Sequence, residues 1–164
     1  MAPSNVVDPT MQPKIFNVLV VDDSQSDLDL ATTYLSKAWP FDADMAIDTA
    51  RDGLEALEKM RGKQFCLILL DWCMPNGGNG QVLRELRRNG VHIPVVVLSG
   101  LGRDELPDYL EAEGAAYLNK QDLDASTLRY AIGEALRLKP SPSASHHDQL
   151  LTISSSPELL ASVQ

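Results

Sequence analysis

Cysteine is nearly absent from this chain. The only two, Cys66 and Cys73, flank an apolar run and have neither the paired spacing of a zinc site nor the density of a secreted disulfide scaffold. Reduced thiols in a cytosol are therefore expected, with Cys66 an inert core residue that behaves as a small hydrophobe. Long hydrophobic runs are missing too. The longest, residues 65–70 and 94–98, are far too short to cross a bilayer, and residues 1–14 lack the basic start and apolar stretch of a signal peptide. Positive charge is also scarce, since 14 Lys and Arg against 23 Asp and Glu leave a net charge of -9. That balance excludes attachment to nucleic acid or an anionic membrane by bulk electrostatics. A cytoplasmic protein that contacts neither is expected.

What remains is ample for one domain: 164 residues, 44% of them hydrophobic, can bury a single core. Residues 17–21 form a short apolar run ending in Asp22 and Asp23. Ser24 then offers a cap for a helix with Leu28, Ala31, Leu35 and Ala38 on one face. A weaker strand at 45–48 precedes a helix opened by Asp52 and Gly53, with Leu54, Leu57 and Met60 aligned. Residues 65–70 show no polar alternation, the pattern of a central parallel strand covered on both faces. After a loop containing Pro75 and glycines 77, 78 and 80 come a short helix at 81–88 and a buried strand at 94–98. A helix over 105–113, with Pro107 in its first turn and Gly114 at its end, leads to a strand at 116–118 and a last helix over about 123–138.

Five strands alternating with five helices imply a parallel sheet with right-handed crossovers, which binds ligands beyond the carboxyl ends of its strands. The residues expected there are Asp22 with Asp23, then Asp71, Ser99 and Lys120. Three carboxylates in one confined place repel one another unless a cation lies among them. Mg2+ or Mn2+ would resolve the conflict, held by Asp23, Asp71 and the backbone carbonyl of Cys73 as hard oxygen donors. An aspartate of ordinary pKa, about 3.9, needs no general base to attack phosphorus, so Asp71 is placed as a nucleophile. Phosphoryl transfer also needs charge neutralisation, for which Lys120 is the candidate ammonium and Ser99 a hydroxyl donor.

The chain resembles the receiver domains of two-component response regulators, over about residues 15–138. The resemblance rests on Val18-Leu19-Val20-Val21-Asp22-Asp23, the segment 50–57, Leu70-Asp71-Trp72-Cys73-Met74-Pro75 with Gly80, the run Val97-Leu98-Ser99-Gly100 and the segment 114–120. It implies a stand-alone, chemotaxis-regulator-like module with a flavodoxin-like, doubly wound α/β sheet of strand order 2-1-3-4-5 and five helices. It implies phosphate on Asp71 from the phosphohistidine of a sensor histidine kinase or phosphotransfer protein, metal at Asp22 and Asp23, and phosphoryl contacts from Ser99 and Lys120. Ser99 and Tyr117 would form the switch, and a downstream protein would read the face of the fourth helix, fifth strand and fifth helix. Such a module phosphorylates only itself and is not an enzyme acting on other substrates.

Two departures from the family pattern matter. Gln121 stands where most members carry proline, so the loop after Lys120 is expected to differ in shape. Cys73 and Leu101 occupy positions that in this family tune acyl-phosphate hydrolysis, and neither can orient a water, which predicts a long-lived phosphorylated form. Cys73 also stands where an aspartyl-phosphate phosphatase needs a second acid, which argues against that class. A phosphorylation-independent pseudo-receiver is the alternative reading. Taken alone, Tyr117 and Trp72 read as packing residues. The tail 139–164 is rich in Pro, Ser and His and reads as a flexible segment like 1–14, with residues 150–153 able to dock as an arm and support a homodimer. The His146–His147 pair in it lacks partners for a metal site.

Overall fold

The computed structural model describes residues 15–41, 43–75 and 80–137. Expectations for 1–14, for glycines 77 and 78 and for the tail, including His146, His147 and residues 150–153, lie outside the described residues.

The elements run β1 (Phe16–Val21), α1 (Gln25–Ala38), β2 (Met45–Ala50), α2 (Gly53–Gly62), β3 (Leu67–Asp71), α3 (Gln81–Arg88), β4 (Val95–Ser99), α4 (Tyr109–Ala112), β5 (Ala115–Asn119) and α5 (Ala125–Arg137). All strands pair in parallel in the order β2-β1-β3-β4-β5. Alternate residues of each strand point to opposite faces and build two cores. Leu19, Val21, Ile68, Leu70, Val95 and Val97 pack against α2, α3 and α4. Val18, Val20, Leu67, Leu69, Val96 and Leu98 pack against α1 and α5. Both faces are covered, which explains why the central strands carry no polar alternation.

Local signals set the helix ends. Ser24 caps α1, its hydroxyl accepting from Asp27 N at 3.3 Å, and Asp52 caps α2, accepting from Glu55 N at 2.7 Å. The helix expected over 105–113 is the largest correction. In its place stand a 3-10 turn at Arg103–Glu105 and a single helical turn, α4. Pro107 is the cause, because proline excludes its predecessor from the helical region, and Leu106 is accordingly extended at φ -98, ψ 153. Gly114, at φ 71, closes the turn before β5.

Smaller differences concern strand ends. β3 begins at Leu67, so Cys66 lies just before the strand; it packs against the α1 and α5 core as expected but is only partly buried, with its thiol 3.3 Å from the Asn17 carbonyl. Asp71 and Ser99 are the last residues of their strands and not the first beyond them. Lys120 opens a 3-10 turn, Lys120–Asp122, in which Gln121 N donates to Asn119 Oδ1 at 2.9 Å. Proline has no N–H to give, so Gln121 makes a capped turn that the usual residue could not.

One half-buried guanidinium stitches the α3 side together. Arg87 donates to the carbonyls of Glu113 (2.7 Å), Val91 (2.7 Å) and Ile93 (2.9 Å). Burial lowers its pKa to about 10 against the favourable charge of Glu113, so it stays charged at neutral pH.

Candidate functional site

The chain reverses its winding direction between β1 and β3, which are neighbours in the sheet, and their carboxyl ends border the crevice where such folds bind ligands. Asp22 follows β1 and Asp71 ends β3, each only 3% exposed. Asp23 stands exposed beside them, and ligand oxygens of all three carboxylates lie within 4.8 Å of one another. Ser99 is fully buried at the end of β4, and Lys120 reaches in from beyond β5. Asp22, Asp23, Asp71 and Lys120 therefore come together, with Ser99 at the end of the next strand, β4, bonded to Leu101 N.

Lys120 Nζ donates to Asp22 Oδ2 at 2.7 Å and Asp27 Oδ2 at 2.8 Å, and lies 3.3 Å from Asp71 Oδ1. Burial works against its charge, but the hydrogen bonds to Asp22 and Asp27 outweigh it and hold the ammonium above the ordinary lysine pKa. The Asp71 pKa is also raised, but there the rise disfavours the charged form. Burial first, then the Asp22 charge, raise its carboxyl from 3.8 to about 6, opposed by Lys120 and by the Cys73 N–H, which donates to Asp71 Oδ1 at 3.2 Å. Asp22 Oδ1 also accepts from Ser24 N at 3.0 Å, which locks the loop after β1.

The donor set fits a hard divalent cation: closely spaced carboxylate oxygens, no nitrogen or sulfur among them, and one lysine that leaves Asp71 with a strained charge. Cys73 follows within two residues of Asp71, with an exposed side chain; its carbonyl is the backbone oxygen expected to complete the set.

Ser99 and Tyr117 meet through the backbone of one residue. Ser99 Oγ accepts from Leu101 N at 3.0 Å, while Tyr117 donates its hydroxyl to Leu101 O at 2.7 Å and Asn119 Nδ2 reaches the same oxygen at 3.4 Å. Trp72 is buried against Gly80, as packing beside the site.

Two residues near the site were not anticipated in these roles. Arg51 donates from its guanidinium to the Asp23 carbonyl at 3.1 Å. Asp27 holds Lys120 across 93 residues of sequence. An acidic residue in the first turn of a helix is already explained by the helix dipole, so nothing local marks Asp27 for a longer reach.

The response regulator receiver domain model matches residues 18–132. The chain is 32% identical over 130 residues to the transcriptional regulatory protein ZraR of Klebsiella oxytoca, a match covering 77% of this chain and 28% of that protein. It is 34% identical over 86 residues to the response regulator RR06 of Streptococcus pneumoniae, covering 52% of this chain and 37% of that one. Both relatives are thus much longer than the matched stretch. Among solved structures, the chemotaxis protein CheY4 of Vibrio cholerae superposes with a TM-score of 0.61 at 26% identity, over 76% of this chain and 99% of that one. The chain belongs to the response regulator receiver domain family of two-component signalling. Among the described residues, no helix is long and apolar enough to cross a membrane.

Proposed function

We propose that residues 15–138 are a phosphorylation switch in which Asp71 accepts a phosphoryl group from the phosphohistidine of a sensor histidine kinase or phosphotransfer protein. The observation that carries this reading is the convergence of the Asp22, Asp23 and Asp71 carboxylates with the Lys120 ammonium at the sheet's switch point. Mg2+ or Mn2+ would be held by the carboxylates of Asp22, Asp23 and Asp71 and the Cys73 carbonyl, and when bound it supplies charge neutralisation for the phosphoryl oxygens.

The rest is work for the chain's own groups. An ionised Asp71 oxygen attacks phosphorus while the phosphorus–nitrogen bond to the donor imidazole breaks and its electron pair leaves with the imidazole. No proton needs removal from Asp71, so no general base is required. Lys120 donates to a phosphoryl oxygen and offsets the added charge. Ser99 donates its hydroxyl to another.

Turning that hydroxyl onto phosphate takes Ser99 Oγ from Leu101 N, and the loop whose carbonyl holds Tyr117 is then released. The ring of Tyr117 would follow inward, altering the face made by α4, β5 and α5, where a downstream protein binds. Phosphate in this scheme biases an equilibrium between two arrangements of one packed loop. The wholly protein-facing output and cytoplasmic setting fit the acidic charge balance.

The test is the intact mass of the protein after incubation with a small phosphodonor and Mg2+, with and without chelator, for wild type and Asp71→Asn. A chelator-sensitive gain of one phosphoryl group in wild type alone is expected. No gain in wild type with either the small donor or the cognate kinase defeats the switch and leaves a phosphorylation-independent docking module.

A further inference from the structure

We propose that Asp27 is a positioning residue that competes with the incoming phosphoryl group for Lys120, and so acts as a brake on phosphorylation of Asp71. The inference rests on the switch reading above and goes beyond it in assigning a rate-setting role to a residue outside the acidic triad.

An ammonium has three protons to donate, and Lys120 meets three carboxylates: Asp22 at 2.7 Å, Asp27 at 2.8 Å and Asp71 at 3.3 Å. The shortest contacts go to Asp22 and Asp27, and the longest goes to the residue that must react. Before phosphorylation the lysine is therefore held more closely by Asp22 and Asp27 than by Asp71. Lys120 turns more fully onto a phosphoryl oxygen when one of its close partners yields.

Asp22 is the poorer candidate to yield. It is buried, and its other oxygen is fixed by Ser24 N at 3.0 Å. Asp27 is the better one: its side chain is 41% exposed, so water replaces the lost contact at little cost.

The geometry of α1 explains why Asp27 is free to reach so far. In the third position after the cap, an acidic side chain ordinarily turns back to the N–H of the capping residue. Here that N–H, on Ser24, already donates to Asp22 Oδ1. Asp27 keeps only its own N–H contact to Ser24 Oγ at 3.3 Å, and its carboxylate crosses to Lys120. Asp27 also adds a negative charge beside a site that must admit an anion, so it opposes phosphorylation both through Lys120 and through the field.

The experiment compares phosphorylation rates of the full chain at saturating Mg2+ for wild type, Asp27→Asn and Asp27→Ala, using acetyl phosphate and the less negative phosphoramidate. Asparagine keeps an acceptor without the charge, and alanine removes both. Unfolding midpoints check that each variant is folded. Both variants are expected to accelerate modification of Asp71 by roughly threefold or more, with the larger gain for the more highly charged donor, as a charge effect on an anion requires. A role confined to stabilising the start of α1 would shift the midpoint but would not separate the two donors. Unchanged or slower rates in folded variants, or equal gains with both donors, overturn the brake while leaving the switch intact. Failure of wild type to accept phosphate overturns both.

Discussion

Replacing Asp71 by asparagine should make the metal-free protein more stable, and the gain should depend on pH in a way fixed by the site. In the folded chain burial, and after it the Asp22 charge, raise the Asp71 carboxyl from 3.8 to about 6. The unfolded chain binds this proton less tightly, so Asp71's contribution is most favourable below pH 3.8 and is lost as pH rises through about 6. That span corresponds to about 3 kcal/mol, and about half of it has been lost at about pH 5. Asparagine keeps an oxygen for the Lys120 and Cys73 donors, and its amide can donate to Asp22 in place of a repelling charge. The variant should exceed wild type by about 2–3 kcal/mol at about pH 7.5 and by about half as much at about pH 5. Urea unfolding in the presence of chelator at the two pH values measures this directly. Adding Mg2+ should then stabilise wild type more than the variant, because only wild type offers the third carboxylate. A variant less stable than wild type near pH 7.5, or one whose advantage does not grow between the two pH values, would falsify the account of a carboxylate held ionised against its surroundings.

Two further outcomes follow from the rim of the site. Gly80 has φ 78, and a Cβ there would run into the Trp72 ring and lie 2.9 Å from the Tyr109 hydroxyl, so Gly80→Ala should cost about 2–4 kcal/mol and shift the tryptophan fluorescence; a change under about 0.5 kcal/mol would contradict the packing described. The phosphorylated form should be long-lived, since the Cys73 thiol and the Leu101 side chain cannot direct a water at phosphorus, and Cys73→Asn, which adds an amide able to do so, should shorten it. A wild-type half-life of seconds after donor removal counts against this.

Most of the architecture was legible in the sequence for one reason. A parallel sheet buried on both faces has to be written as unbroken apolar runs, and 65–70 and 94–98 stand out against the amphipathic helices between them. The chemistry was legible because every strand in such a sheet points the same way, so the residue types closing each run collect at one edge. Reading failed where a local signal had two meanings. Pro107 fits the first turn of a helix, but with Leu106 forced extended it breaks the expected 105–113 helix into a 3-10 turn and one α turn. Cys66 reads as fully buried core beside Leu67, yet it sits just ahead of β3 and is only partly buried. Asp27 was silent because its meaning lies in a partner 93 residues away.

The Arg87 clamp has a bearing on how the α4 region can deform. Its grip on the Glu113 carbonyl pins the chain where it leaves α4 for β5, and the same guanidinium anchors Val91 and Ile93 ahead of β4. Among the described residues, the segment from Leu101 to Leu106 has no such anchor; its ties at Leu101 run to a serine hydroxyl, a tyrosine hydroxyl and an amide. The region between β4 and β5 is therefore held by a charged clamp on its exit side and by neutral hydrogen bonds at Leu101 on its entry side, so breaking the entry-side bonds leaves the exit-side anchor in place.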